Sequence, residues 1–207
     1  MNPDLCLFET RAWVRRAVVG LNLCPFAKAP LTKGLIRYVV SVVRSPDALL
    51  AVLADELAFL VSTQASEVET TLLVHPLVFT DFTAFNDFIG DAEEVLSDAG
   101  LEGILQIASF HPQYQFAGTA VDDLGNATNR SPYPTLHLLR EASIDRAVDA
   151  FPDPAAIFSA NISTLQALGD GGWKALQDAC RRDAADESAS AQEYPRRRER
   201  SPGRPVG

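Results

Sequence analysis

What most constrains this chain is an alternation of two patterns. Leu35–Val43, Thr70–Val74 and Gly103–Phe110 are short segments rich in β-branched and aromatic residues, and they read as strands. Two helical patterns separate them. Ser45 caps the first, Pro46 takes its first helical position, and Leu49, Leu53, Leu57 and Leu60 recur along one face. Thr80 or Asp81 caps the second, Phe82, Phe85, Ile89, Ala92 and Leu96 form its apolar stripe, and Gly100 stops it. Strand, helix, strand, helix, strand is the order that parallel neighbours joined by helical crossovers require. Near-continuous apolar strands fit a sheet covered on both faces. The expected fold class is α/β: a single domain with a small, mainly parallel sheet on a β-α-β-α-β core, packed with helices and followed by C-terminal helices. A split arrangement, with a further strand hidden in the long loop after Phe110, is the alternative.

The flanking segments are helical. Residues 7–21 place Phe8, Ala12, Val14, Val18, Val19 and Leu21 at helical spacing, with Arg11, Arg15 and Arg16 on the remaining circumference. That basic face reads as solvated, with anion binding as the second reading. Residues 135–150 read as a helix entered through Pro132 and Pro134. Asp153-Pro154 starts another, Gly169 stops it, and Phe158, Ile162 and Leu165 form its buried side. Trp173, Leu176 and Cys180 mark one more short helix. Residues 1–178 are thus expected to form one α/β domain. From residue 181 the chain turns to Asp, Glu, Ser, Ala, Arg and Pro, and residues 181–207 are expected to be a disordered Arg/Pro-rich tail.

Charge and cysteine usage exclude several function classes. The 207 residues carry a formal net charge of −9, which argues against a nucleic-acid-binding body. No apolar run is long enough to span a bilayer, and the start, MNPDLCLFETRAW, has neither the basic nor the apolar region of a secretory signal. The three cysteines, Cys6, Cys24 and Cys180, are odd in number and far apart, which favours reduced thiols and a cytoplasmic location. Oligomeric state is not set by these features.

The stretch Phe110–Glu141 reads as the site. It links a strand end to the next helical pattern through more than twenty aperiodic residues, and it is rich in aromatic, His, Asn and Pro residues rather than in disorder-promoting ones. Were the three strands parallel, Arg44, His75 and His111 would emerge at the carboxyl edge, where open α/β sheets bind ligands. His111 is the candidate general acid or base, with Asp122 and Asp123 nearby in sequence. His137 is a second catalytic candidate, on one helical face with Arg140 and Glu141. Cys24, at a turn forced by Pro25, is a candidate nucleophile or else a buried apolar thiol. Arg130 and Arg140 are candidates for binding a phosphate or carboxylate, and Asn126, Asn129 and Tyr114 for orienting the substrate. The leading expectation is an enzyme acting on a small anionic metabolite. A metal or heme site drawn from Cys24, His75, His111 and His137 is a second reading, although no pair has zinc-motif spacing. A non-catalytic module docking through the 110–135 loop is a third. No cofactor is specified by any motif; GxGxxG, P-loop and GxSxG patterns are absent from the sequence.

The segments GLNLCPFA, SFHPQYQFAG and NATNRSPYPTLHLLRE resemble a family of bacterial proteins known only as a domain of unknown function, number 1415. The resemblance covers roughly residues 5–178 and excludes the tail. It implies that Cys24, His111, Asn126, Asn129, Arg130 and His137 lie in family motif segments, and it implies no reaction.

Overall fold

Ile36–Val40 (β1), Thr70–Val74 (β2) and Leu105–Phe110 (β3) are strands in the computed structural model, which describes residues 1–149, 153 and 155–199. Pro46–Ser62 (α3) and Phe82–Asp98 (α4) join them, preceded in the chain by Pro3–Trp13 (α1) and Lys28–Lys33 (α2). The expected caps are in place. Ser45 accepts a hydrogen bond from the amide of Ala48, and Asp81 accepts one from Ala84. Gly100 follows α4 with a φ of 68°, the left-handed conformation that glycine adopts without steric cost.

The sheet differs from expectation at one point. Thr135–Arg140, expected to begin a helix, is a strand (β4) inserted between β2 and β3, so the order is β1-β2-β4-β3. β1 pairs with β2 in parallel, whereas β4 is antiparallel to both β2 and β3. The sheet is therefore mixed rather than mainly parallel. An added strand was the alternative reading, but it lies just after the long loop, in the expected helix, and not within the loop. β1, β2 and β3 still point the same way, so the ends of β2 and β3 share an edge with the start of β4. Helix α5 (Glu141–Asp149) follows β4 with no residue between; Ala150, where the expected helix ended, lies outside the described residues.

Alternation along the strands sorts the core into two layers. Leu73, Leu136, Leu138 and Leu105 face α3 and α4, packing on Leu53, Leu57, Phe85 and Phe88. Leu72, Tyr38 and Phe110 face the other way, toward α1 and the long helix α6 (Ala155–Glu199). His137 pairs with Leu72 on one side and Ala108 on the other, which puts it on this second face.

α1 runs into a π-helical turn at Val14–Val19, so the expected helix is present with a widened last section. α6 is broken at Gly169, with φ 66° and ψ 172°, where the sequence predicts a stop. Leu165 is fully buried as expected, but Phe158 is 58 % exposed. Pro154 lies outside the described residues. Beyond residue 180 the helix continues to Glu199, where a disordered tail was expected. The reason is a partner that composition does not reveal. Arg16 forms a two-pronged bridge to Asp183, at 2.7 and 2.8 Å, and Arg11 and Arg15 reach Glu187. Ala184 is completely buried. The basic face of α1 is thus occupied by α6. Residues 200–207 lie outside the described residues. Among the described residues, no helix is long and apolar enough to cross a membrane.

Candidate functional site

His75 and His111 follow β2 and β3 directly and sit at the same sheet edge. Their backbone amides donate to Pro134 and Asn129, which ties the end of the long loop across the two strand ends. Both side chains are completely buried. Their rings lie 5.5 and 5.2 Å from the ring of Phe85. His75 donates from Nδ1 to the carbonyl of Val78 at 3.1 Å, its Nε2 has no partner among the described residues, and burial lowers its pKa to about 4. His111 donates from Nε2 to the carbonyl of Phe79 at 3.1 Å and accepts at Nδ1 from the amide of Gln113 at 3.0 Å. Burial pushes its pKa below the usual imidazole value. Both nitrogens of His111 are consumed by the chain itself. It is a neutral clamp at the sheet edge, and the expected pairing with Asp122 or Asp123 is not among its contacts.

The loop is ordered by the residues expected to orient a substrate. Asn126 is fully buried; its Oδ1 accepts from the Phe116 amide and the Thr119 hydroxyl, and its Nδ2 donates to Ala120. Asn129 donates to the carbonyl of Ser109 at 3.3 Å. Tyr114 packs its ring on Phe82 and Phe116, 5.1 and 5.0 Å away. Arg130 donates from Nε to the carbonyl of Tyr114 and from Nη2 to that of Val121. These bonds satisfy the backbone of a segment too irregular to satisfy itself.

His137 and Arg140 belong elsewhere. His137 stands on β4 rather than on a helix, with Nε2 2.7 Å from the hydroxyl of Thr70. That hydroxyl donates to the carbonyl of Leu138, so the imidazole is the donor to it. Burial lowers the His137 pKa to about 4. Arg140 is at the far end of β4 and donates to the carbonyls of Leu60, Thr63 and Val68, closing the C-terminus of α3. Its guanidinium is committed, so the expected anion-binding role falls away. Burial raises the Cys24 thiol pKa, the reverse of nucleophile activation, and no contact joins it to His111. Among the described residues, no cluster of three or more His, Cys, Asp or Glu side chains is arranged to hold a metal ion. The expected ligands are dispersed, with His75 and His111 at the carboxyl edge and His137 on the α1/α6 face.

What the fold does build is a cleft of about 110 Å³ between α1, the end of the loop and α6. Arg130 and Ser131 reach it from the loop, Glu9 and Trp13 from α1, and Trp173 and Arg181 from α6. Arg130 is half-buried, desolvation lowers its pKa against the opposing pull of Asp123, and it has no salt bridge among the described residues. Trp13 is 4 % exposed, and its Nε1–H has no acceptor among the described residues. The Tyr133 hydroxyl donates to Glu9 Oε2 at 2.5 Å. Burial, and then this bond, raise the Tyr133 pKa, so the phenol keeps its proton.

Of the expected site residues, only Arg130 lines this cleft. Glu9, Trp13, Trp173 and Arg181 were not among them. The signal available was slight: both tryptophans of the chain stand in helical segments far from the motif-rich stretch.

A family model described as "Protein of unknown function (DUF1415)" matches residues 6–175. No curated protein and no solved structure matches the chain.

Proposed function

Because the chain belongs to the DUF1415 family, whose description assigns no activity, we propose a function from the cleft: binding of a small anionic, carboxylate- or phosphate-bearing metabolite between α1, the loop end and α6. Arg130 carries this reading. A partly desolvated guanidinium without a carboxylate partner is costly unless an anion joins it. Two of its donors are anchored to loop carbonyls, which holds the planar group still. The Gln177 amide adds a donor and Arg181, bridged to Asp178 at 2.7 Å, a second cation around the same space, while Trp173 and Leu176 supply an apolar surface for the body of the ligand.

An enzyme acting on that ligand draws its proton acceptor from Glu9, not from His111. Glu9 shares the cleft with Arg130, and only its Oε2 is engaged. His111, by contrast, has no nitrogen left to offer.

The test is a thermal-shift screen of the full chain against carboxylates and phosphate monoesters, read in parallel by tryptophan emission. Both tryptophans of the chain, Trp13 and Trp173, line the cleft, so a ligand there should change the emission. At least one anion is expected to raise the melting temperature and change the emission. A screen in which no anion does either overturns the proposal.

A further inference from the structure

The cleft holds opposite charges that do not satisfy each other. Glu9 lies on the α1 wall and Arg130 on the loop wall, and both line the same space. Among the described residues neither has a salt-bridge partner, and they do not bridge to one another. Glu9 accepts one hydrogen bond among the described residues, from Tyr133 to Oε2, and its Oε1 has none. Tyr133 thereby fixes the carboxylate's orientation, as the loop carbonyls fix the Arg130 guanidinium. Arg181, the other cation on the cleft, is already bridged to Asp178 at 2.7 Å, so a half-buried carboxylate and a half-buried guanidinium, neither in a salt bridge among the described residues, call for a ligand carrying both complementary groups.

We infer that the ligand is a zwitterion of the free amino-acid class, its carboxylate on Arg130, its ammonium on Glu9, and its apolar body against Trp173 and Leu176. This rests on the anion-binding reading above and narrows it. A simple carboxylate leaves Glu9 facing an anion with no counter-charge, which costs affinity; an amine alone leaves Arg130 in the same position. Discrimination follows from the penalty of leaving one half-buried charge unpaired.

The purified full-length chain is titrated with each standard L-amino acid, following melting temperature and tryptophan emission. The tightest one is then compared with its N-acetyl derivative, its carboxamide and the same acid lacking the amine. Inorganic phosphate and simple carboxylates are run alongside. At least one amino acid is expected to bind, and removal of either charge should weaken it by about tenfold or more. The Glu9→Gln variant keeps an oxygen to accept from Tyr133 and should bind the free and N-acetylated forms equally. If the amine-free acid binds as tightly as the amino acid, the zwitterion inference is overturned and the anion reading stands. If no amino acid binds, the inference is overturned, and the phosphate and carboxylate arms decide the anion reading separately. The ligand series uses the unaltered chain, so it decides the question even where Glu9→Gln fails to fold.

Discussion

His111 donates its Nε2–H to the carbonyl of Phe79, and Phe79 is one of two non-glycine residues among those described with a positive φ, at 58°. A bulky residue in the left-handed region is strained by roughly 1–3 kcal/mol and persists only where its surroundings hold it. The His75–Phe79 turn is held at both ends, by the Val78 carbonyl on His75 and by the Phe79 carbonyl on His111. His111→Ala would leave that carbonyl and the Gln113 amide unpaired and open a cavity beside Phe85. A loss of about 2–4 kcal/mol is expected in urea unfolding. A variant as stable as the parent would show that the imidazole does not hold this turn.

All three histidines are neutral and enclosed, and this fixes how stability responds to acid. The His75 and His137 pKa values are lowered to about 4, and that of His111 is lowered as well, in each case chiefly by burial. The unfolded chain, with imidazoles near the usual 6.5, binds more protons than the native one between these values. Stability from these groups is therefore fully present above about pH 6.5 and is lost as pH falls toward about 4, by an amount on the order of a few kcal/mol in total. Melting temperature should fall steadily across that interval. A flat profile from neutrality to about pH 5 would contradict the neutral assignment of all three.

Arg140 was expected to bind an anion and instead ties two carbonyls at the end of α3, those of Leu60 and Thr63, to that of Val68 ahead of β2. Arg140→Met should lower unfolding free energy by about 2–4 kcal/mol, since buried acceptors lose a charged donor. Affinity for whatever anion the cleft binds should be unchanged in the fraction that remains folded. Weakened binding at undiminished stability would restore Arg140 to the site.

Much of the framework is legible in the sequence because local signals and tertiary structure agree. Ser45-Pro46, Asp81 and Gly100 each mark a boundary through a hydrogen bond or a backbone angle they serve locally. β4 is illegible for a physical reason. Leu136, Leu138 and Leu139 surround His137 with apolar residues, as a strand buried on both faces requires, and the strand passes into α5 with no Gly or Pro between. Its pattern then merges with the helical one that follows. The cleft is illegible for another. It depends on α1 lying along α6, and bridges such as Arg16–Asp183 and Arg15–Glu187 join residues more than 160 positions apart. The motif-rich stretch did mark an ordered loop, but Asn126 and Asn129 spend their polarity on the loop itself.

The place of β4 has a consequence for biogenesis. β3 touches the rest of the sheet only through β4, which is made about thirty residues later. On the ribosome, β1, α3, β2 and α4 can assemble early, while β3 waits with both edges open until residues 135–140 emerge. That interval exposes an apolar strand able to pair with a neighbouring nascent chain. Slowing translation while residues up to 110 have emerged and residues 135–140 are still inside the ribosome should therefore increase aggregation, whereas slowing it once residue 140 has emerged should not.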